Sequence, residues 1–122
     1  MALRLRLERL LGELILRIFG FEIVQVQGNS MLPAFAAGER VLIKYRTSDL
    51  QPIHVGEVVM IEREGELMLK RISRYEIGGH TGVGMVSVEG DNKAESIDSR
   101  HWGAVPSRFV KAKVIRKLKT KN

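Results

Sequence analysis

Residues 56–76 read GEVVMIEREGELMLKRISRYE, and this stretch indicates the class of the fold. Two apolar runs flank Glu64-Gly65-Glu66, and a glycine at such a place favours a tight turn between paired strands. We therefore predict a β-hairpin with strands near 56–63 and 66–76.

The same pattern extends in both directions from the hairpin. Short apolar runs rich in β-branched residues alternate with Gly, Pro, Asn and Ser, which is typical of an all-β domain. The glycine-rich stretch from Ile77 to Gly84 indicates a loop between paired strands. Further strands are predicted near 21–27, 39–46, 84–89 and 108–118.

The first twenty residues, MALRLRLERLLGELILRIFG, have a helical period instead. One face carries Leu3, Leu7, Leu10, Leu14 and Ile18, and the other carries Arg9, Glu13 and Arg17. The charges interrupt the apolar run too early for a transmembrane span or a cleavable signal, so we expect a cytoplasmic or peripherally membrane-associated protein. Two alternatives stay open for the apolar stripe: it packs on the domain core or a partner chain, or it lies in an anionic membrane interface.

Composition limits the classes of site. The 122 residues fit one domain with a substantial core. Of all residues, 44% are hydrophobic and 28% are charged. Cysteine is absent and His54, His80 and His101 lack metal-ligand spacing, so we expect no metal and no cofactor. We divide the chain into an amphipathic helix (1–20), a β domain (21–118) and a basic tail (119–122).

The net charge of +6 and the lysines near the C-terminus raise a non-enzymatic alternative, a basic module that binds nucleic acid or an anionic membrane. Few aromatic residues accompany these lysines, which makes nucleic acid a poor candidate. A solvated basic strand edge accounts for them more simply. The sequence does not indicate an oligomeric state.

Three segments carry residues that are unusual for plain strand or loop: Gly28 to Pro33, Leu69 to Ile72, and Gly90 to Arg100. The first presents Ser30 in a turn at the end of a strand. The second places Lys70 in an apolar strand, where desolvation can lower the pKa of the amine enough for it to act as a base. Taken singly, each segment favours an ordinary interpretation: a capping serine, a lysine whose head reaches water, and a polar surface loop.

In this order, the three segments resemble the signal peptidase I family of serine proteases. Ser30-Met31-Leu32-Pro33 matches the Ser-Met-x-Pro motif of that family, and Lys70-Arg71-Ile72 is similar to its Lys-Arg-Val box. Residues 90–103 match its final box almost position for position. The resemblance extends from residue 24 to about 114, and it implies a mostly β, signal peptidase/SOS-repressor-like fold of coiled antiparallel strands behind the N-terminal helix.

The resemblance also implies roles for individual residues. Ser30 would be the nucleophile and Lys70 the general base of a Ser/Lys dyad, with Ser96 orienting the lysine amine. Asp98 and Arg100 would form a structural pair. Substrate or oxyanion contacts would come from the Ser30 backbone N–H and from Gly28, Asn29 and Met31. Gly28 stands where many bacterial members carry a serine donor.

The implied function is a serine endopeptidase that removes an N-terminal signal or propeptide from a protein substrate. The short form without a membrane anchor resembles the proteases that mature nickel-type superoxide dismutase. An autoproteolytic SOS-repressor-like domain is the alternative within the same clan. Self-cleavage is disfavoured because Ala37-Gly38, the dipeptide such domains cut, follows Ser30 instead of preceding it.

Overall fold

A computed structural model describes residues 2–80 and 82–119, with the helical side chains described from residue 10 onward. Seven antiparallel strands form one sheet in the order β1-β2-β7-β3-β4-β5-β6, preceded by a helix. The predicted mostly β fold with an N-terminal helix is therefore confirmed. The elements are α1 (Ala2–Ile18), β1 (Phe21–Gln25), β2 (Arg40–Tyr45), β3 (Val58–Arg63), β4 (Glu66–Ile77), β5 (Gly84–Glu89), α2 (Ser99–Trp102), β6 (Val105–Pro106) and β7 (Val110–Lys117).

The hairpin predicted from residues 56–76 is present. Strands β3 and β4 pair in antiparallel register down to Arg63 opposite Glu66. Glu64 and Gly65 form the two-residue turn, with φ of 53° and 78°. Positive φ at both central positions is the geometry that matches the twist of the flanking strands, which is why a glycine is favoured there.

Apolar side chains on the two faces of the curled sheet form two cores. One core contains Ile61, Ile72 and Val88 and is extended by the partly buried Trp102. The other contains Val41, Ile43 and Ala112. Strand β7 alternates as predicted, with Val110 and Ala112 buried. Because β4 lies between β3 and β5, its residues are held from both sides.

The structure differs from the predicted elements mainly near the C-terminus. The predicted strand 108–118 begins later, at Val110, because residues 107–109 form a 3-10 turn. Strand β6 and helix α2 were not predicted, since two and four residues are too short to show a period. Asp98 is the N-cap of helix α2, and its carboxylate accepts a hydrogen bond from the Arg100 backbone N–H.

Helix α1 turns its apolar stripe outward. Leu10, Leu14 and Ile18 are exposed, whereas Glu13 and Leu16 are partly covered, so these members of the stripe do not pack on the domain core. Glu22 on β1 accepts hydrogen bonds from Arg17 of the helix, at 3.3 Å, and from the Tyr45 hydroxyl. The side chains of Leu3, Leu7 and Arg9 lie outside the described residues, as do residues 120–122 of the predicted basic tail.

Within the described part of the chain, no helix is both long and apolar enough to cross a membrane.

Candidate active site

The three segments singled out in the sequence converge on one groove. Its volume is about 680 Å³, and Ser30, Met31 and Lys70 all line it. The segment from Val24 to Gly28 forms one wall, and β4 from Glu66 to Lys70 forms another. Ile97 and Trp102 contribute apolar side chains. A groove between two extended segments suits an extended peptide, which can add main-chain hydrogen bonds to a strand.

Ser30 lies in a turn that leaves its polar groups available. Within residues 2–80 and 82–119, neither its hydroxyl nor its backbone N–H takes part in a hydrogen bond, while its carbonyl oxygen accepts one from the Asn92 N–H at 2.8 Å. The Asn92 side-chain amide also donates to the Asn29 carbonyl oxygen at 3.0 Å. Asn92 therefore holds the backbone of the turn in place without occupying the serine hydroxyl.

Lys70 is buried, with 4% of its surface exposed. Its Nζ donates a hydrogen bond to the Ser96 Oγ at 2.9 Å. The alternative that its head reaches water is therefore wrong. Burial lowers the pKa of Lys70 from its ordinary value; the negative charge of Asp98 opposes this shift and the positive charge of Arg100 adds to it. The amine is thereby shifted toward the neutral form that can accept a proton.

Ser96 is held from its other side by Asp98. The Ser96 hydroxyl donates to the Asp98 Oδ2 at 2.7 Å, and its single proton is thereby used. Its oxygen can then only accept from Lys70. The lysine amine must point an N–H at Ser96, and when it is neutral its lone pair is directed elsewhere.

Asp98 is fully buried, and its surroundings favour the carboxylate form. Burial alone would raise the pKa of its carboxyl, but hydrogen bonds from Arg100, the Gly90 N–H and Ser96 together hold that pKa well below its usual range. Arg100 bonds both carboxylate oxygens, through Nε at 3.0 Å and Nη2 at 3.1 Å. A charged group with this many donors is a fixed anchor for Ser96.

Gly90 lies between the serine turn and this network. A Cβ placed on Gly90 would stand 2.6 Å from the Ser30 carbonyl oxygen and 2.2 Å from the Ser96 Oγ. Both groups therefore lie close to the place where a side chain of residue 90 would begin. The backbone of residue 90 is the spacer that sets Ser30 against the Lys70–Ser96 pair.

A comparison with known protein families matches the part of the chain that contains these site residues. The family model described as Peptidase S24-like matches residues 20–101, which include Ser30, Lys70, Ser96, Asp98 and Arg100. The chain belongs to the Peptidase S24-like family. The match to this S24-like model covers every strand from β1 to β5 and ends within α2.

Two curated relatives of this S24-like chain are mitochondrial proteases. Mitochondrial inner membrane protease subunit 1 of Schizosaccharomyces pombe is 31% identical over 116 residues, an alignment covering 80% of this chain and 73% of the relative. Mitochondrial ATP-independent inner membrane protease subunit 1a of Arabidopsis thaliana is 28% identical over 113 residues, covering 76% and 67%. Family and relatives together support a signal-peptidase-like peptidase that acts on a protein substrate.

Some contacts in the S24-like site were missed from sequence. Arg71 points away from Lys70, as strand alternation requires, but its guanidinium makes a bidentate ion pair with Asp91 at 2.8 Å. This pair fixes the loop that carries Asn92. The sequence around Arg71 did not indicate this ion pair, because Asp91 lies twenty residues further along the chain and in another segment. Trp102 packs on the core and also lines the groove, with the Arg63 guanidinium 4.5 Å from its ring.

Proposed function

We propose that this chain is a serine endopeptidase in which Ser30 is the nucleophile and Lys70 the general base. The observation that carries the proposal is the buried Lys70 amine, bonded to Ser96 in the groove that Ser30 also lines. A buried lysine with a lowered pKa, in the same groove as a hydroxyl without a partner among the described residues, has the properties that base-activated nucleophilic catalysis requires.

The reaction divides into two steps. In acylation, the Ser30 Oγ attacks the scissile carbonyl carbon while its proton passes to the neutral Lys70 Nζ. The tetrahedral intermediate collapses, the C–N bond breaks, and the ammonium of Lys70 returns the proton to the leaving amine. In deacylation, Lys70 takes a proton from water, the hydroxide attacks the ester carbon, and the proton goes back to the Ser30 oxygen. The Ser30 backbone N–H serves as an oxyanion donor, with Gly28 and Asn29 beside it.

The substrate we propose is a protein from which an N-terminal signal or propeptide is removed. The apolar groove, with Met31 and Trp102 among its lining residues, favours small or apolar side chains next to the cut. Maturation of nickel-type superoxide dismutase is the finer version of this proposal and comes from the resemblance of the sequence alone. Incubation with a precursor of that enzyme tests it directly, because cleavage should expose one defined new N-terminus.

The test of the dyad uses matched pairs of variants. Ser30→Ala and Lys70→Ala should each abolish cleavage of denatured host proteins, detected as new N-termini, while far-ultraviolet circular dichroism shows a folded domain. Ser48→Ala and Lys111→Ala, which change the same residue types outside the groove, should retain activity. Full activity in Lys70→Ala would contradict the proposed role of Lys70 as general base. Time-dependent mass loss of the purified chain would instead favour the autoproteolytic alternative.

We also propose that α1 makes a peripheral contact with an anionic membrane. The supporting observation is the outward stripe of Leu10, Leu14 and Ile18, which a helix in a bilayer interface would bury. In sedimentation with anionic vesicles, Leu14→Glu and Ile18→Glu should reduce binding. Leu50→Glu, which changes an exposed leucine outside the helix, should not. A concentration-dependent dimer that Ile18→Glu dissociates, without vesicle binding, would favour a partner chain instead.

A further inference from the structure

A second pocket, of about 220 Å³, lies where the ends of β2 and β7 meet the segment from residue 46 to 57. None of its described lining residues belongs to the groove that contains Ser30. Nothing in the proposed peptidase mechanism uses it, and its chemistry is different, since its polar lining is dominated by cations.

Positive charge exceeds negative charge in this pocket. Lys44, Arg46 and Lys113 line it, and Glu57 is the one carboxylate among its described lining residues. That carboxylate is already shared: one oxygen accepts from the His54 backbone N–H at 2.7 Å, and the other lies 3.7 Å from the Lys113 Nζ. The one carboxylate of Glu57 therefore does not balance the three positive side chains of the pocket.

Two details of the pocket concern its cations, of which Lys44 also lies over the Phe21 ring, with its Nζ 5.3 Å from the ring centre. Lys44 and Lys113 stand directly opposite each other in the β2–β7 register, and like charges at that spacing destabilise a sheet. Arg46 uses its terminal nitrogens on four backbone carbonyl oxygens, at 2.7 to 3.3 Å. Its Nε is buried and has no partner among the described residues. Because this Nε has no accessible surface, Arg46 contributes its charge to the pocket, and the hydrogen-bond donors that a ligand could reach are those of the lysines.

We propose that this pocket binds a phosphate group, with Lys44 and Lys113 pairing with its charge beside the Arg46 guanidinium. A phosphate offers several strong acceptor oxygens and more negative charge than the one carboxylate of Glu57 supplies. The group can come from free phosphate or from a lipid headgroup. The second source fits the position of the pocket, because the Tyr45 N–H bonds the Gly20 carbonyl at 2.8 Å and so joins this region to the end of α1.

The experiment is a nuclear magnetic resonance titration of the full chain with inorganic phosphate, at an ionic strength held constant with chloride. Saturable shifts are expected at the amides of residues 44–46, 54 and 113. Lys44→Gln and Lys113→Gln should each weaken binding about tenfold or more, the usual effect of removing one charge-assisted hydrogen bond. Lys111→Gln is the matched control, because it removes the same charge from an exposed position on the same strand outside the pocket.

A second arm uses a short-chain phosphatidic acid below its micelle concentration. Tighter binding than inorganic phosphate assigns the site to a lipid headgroup, and equal binding assigns it to the phosphate group itself. Absence of saturable shifts with both probes, or the same loss in Lys111→Gln as in Lys113→Gln, overturns the proposal. Peptide cleavage should be unchanged in Lys113→Gln, so failure here and failure of the peptidase proposal are distinguishable.

Discussion

Gly90→Ala tests whether the spacing between the serine turn and the lysine network controls this site. The added methyl carbon would meet the Ser96 Oγ at 2.2 Å, the Ser96 Cβ at 2.5 Å and the Ser30 carbonyl oxygen at 2.6 Å. Carbon atoms are in optimal contact at about 3.5 to 4.0 Å, so each neighbour must retreat by roughly 1 Å. The backbone at Gly90 is not in the left-handed region, and the conflict is therefore purely steric.

The cost of this overlap can be stated in two measurable quantities. Forcing one methyl group into a packed site costs about 1–3 kcal/mol of unfolding free energy. A displacement of about 1 Å in a reacting group lowers kcat/KM by about 100-fold. Urea unfolding measures the first quantity, and cleavage of one peptide by wild type and variant measures the second.

Gly79→Ala provides the matched control for Gly90→Ala. Position 79 is also outside the left-handed region, and nothing lies within 4 Å of an added Cβ there. It should therefore keep full activity and change stability by at most about 1 kcal/mol, in the stabilising direction. If Gly90→Ala lost stability but kept the wild-type kcat/KM, the assignment of residue 90 as the spacer between Ser30 and Ser96 would be refuted.

Three further substitutions test the electrostatics and anchoring of the site. Lys70→Met should abolish cleavage yet raise the unfolding free energy at neutral pH. Between the lowered pKa of Lys70 in the folded protein and its ordinary value, the unfolded chain binds more protons than the folded one, so the stability of the wild type should rise with pH across that window. The wild type should therefore be less stable than Lys70→Met at neutral pH, and this difference should disappear above the ordinary pKa of lysine. Urea unfolding at a series of pH values measures the difference. Arg100→Gln removes a cation that lowers the pKa of Lys70, so the acid limb of kcat/KM should move to higher pH; an unmoved limb contradicts this. Arg71→Lys keeps the charge but breaks the bidentate bond to Asp91, and kcat should fall about tenfold with KM nearly constant, whereas an unchanged kcat would assign the pair no positioning role.

Most of the sheet could be predicted because its signals are local. The Glu64-Gly65 turn and the alternation along β7 are properties of neighbouring residues, and both are present in the structure. The short elements could not be predicted this way, since α2 depends on the cap from Asp98 and β6 on pairing with β5. The orientation of α1 could not be predicted either, because an amphipathic pattern does not show which side of the helix faces the sheet.

The residues of the site were found by their order, but their environment was not. A lysine in an apolar strand is ordinarily expected to extend its head to water. Lys70 does not, because the loop after β5 brings Ser96 against its amine from 26 residues away. Sequence spacing carries no information on such a closure. The roles of Ser30, Lys70 and Ser96 remain predictions, whereas the contact between Lys70 and Ser96 is part of the structure.

Asp98 and Arg100 make opposite contributions to Lys70, and the site needs both. A carboxylate can only accept hydrogen bonds, so with Asp98 ionised the Ser96 proton is always directed to it and Lys70 must always donate to Ser96. An asparagine at position 98 could donate to Ser96 instead, and the Ser96 hydroxyl would then be free to bond the lysine lone pair and block the base. The charge that enforces this direction also raises the pKa of Lys70, which would weaken its neutral form. Arg100, bonded to both oxygens of Asp98, opposes that effect at its source. A serine that orients a lysine therefore needs a buried anion behind it, and that anion needs its own cation. With the proposed role of Ser96, this requirement accounts for the serine, aspartate and arginine at positions 96, 98 and 100.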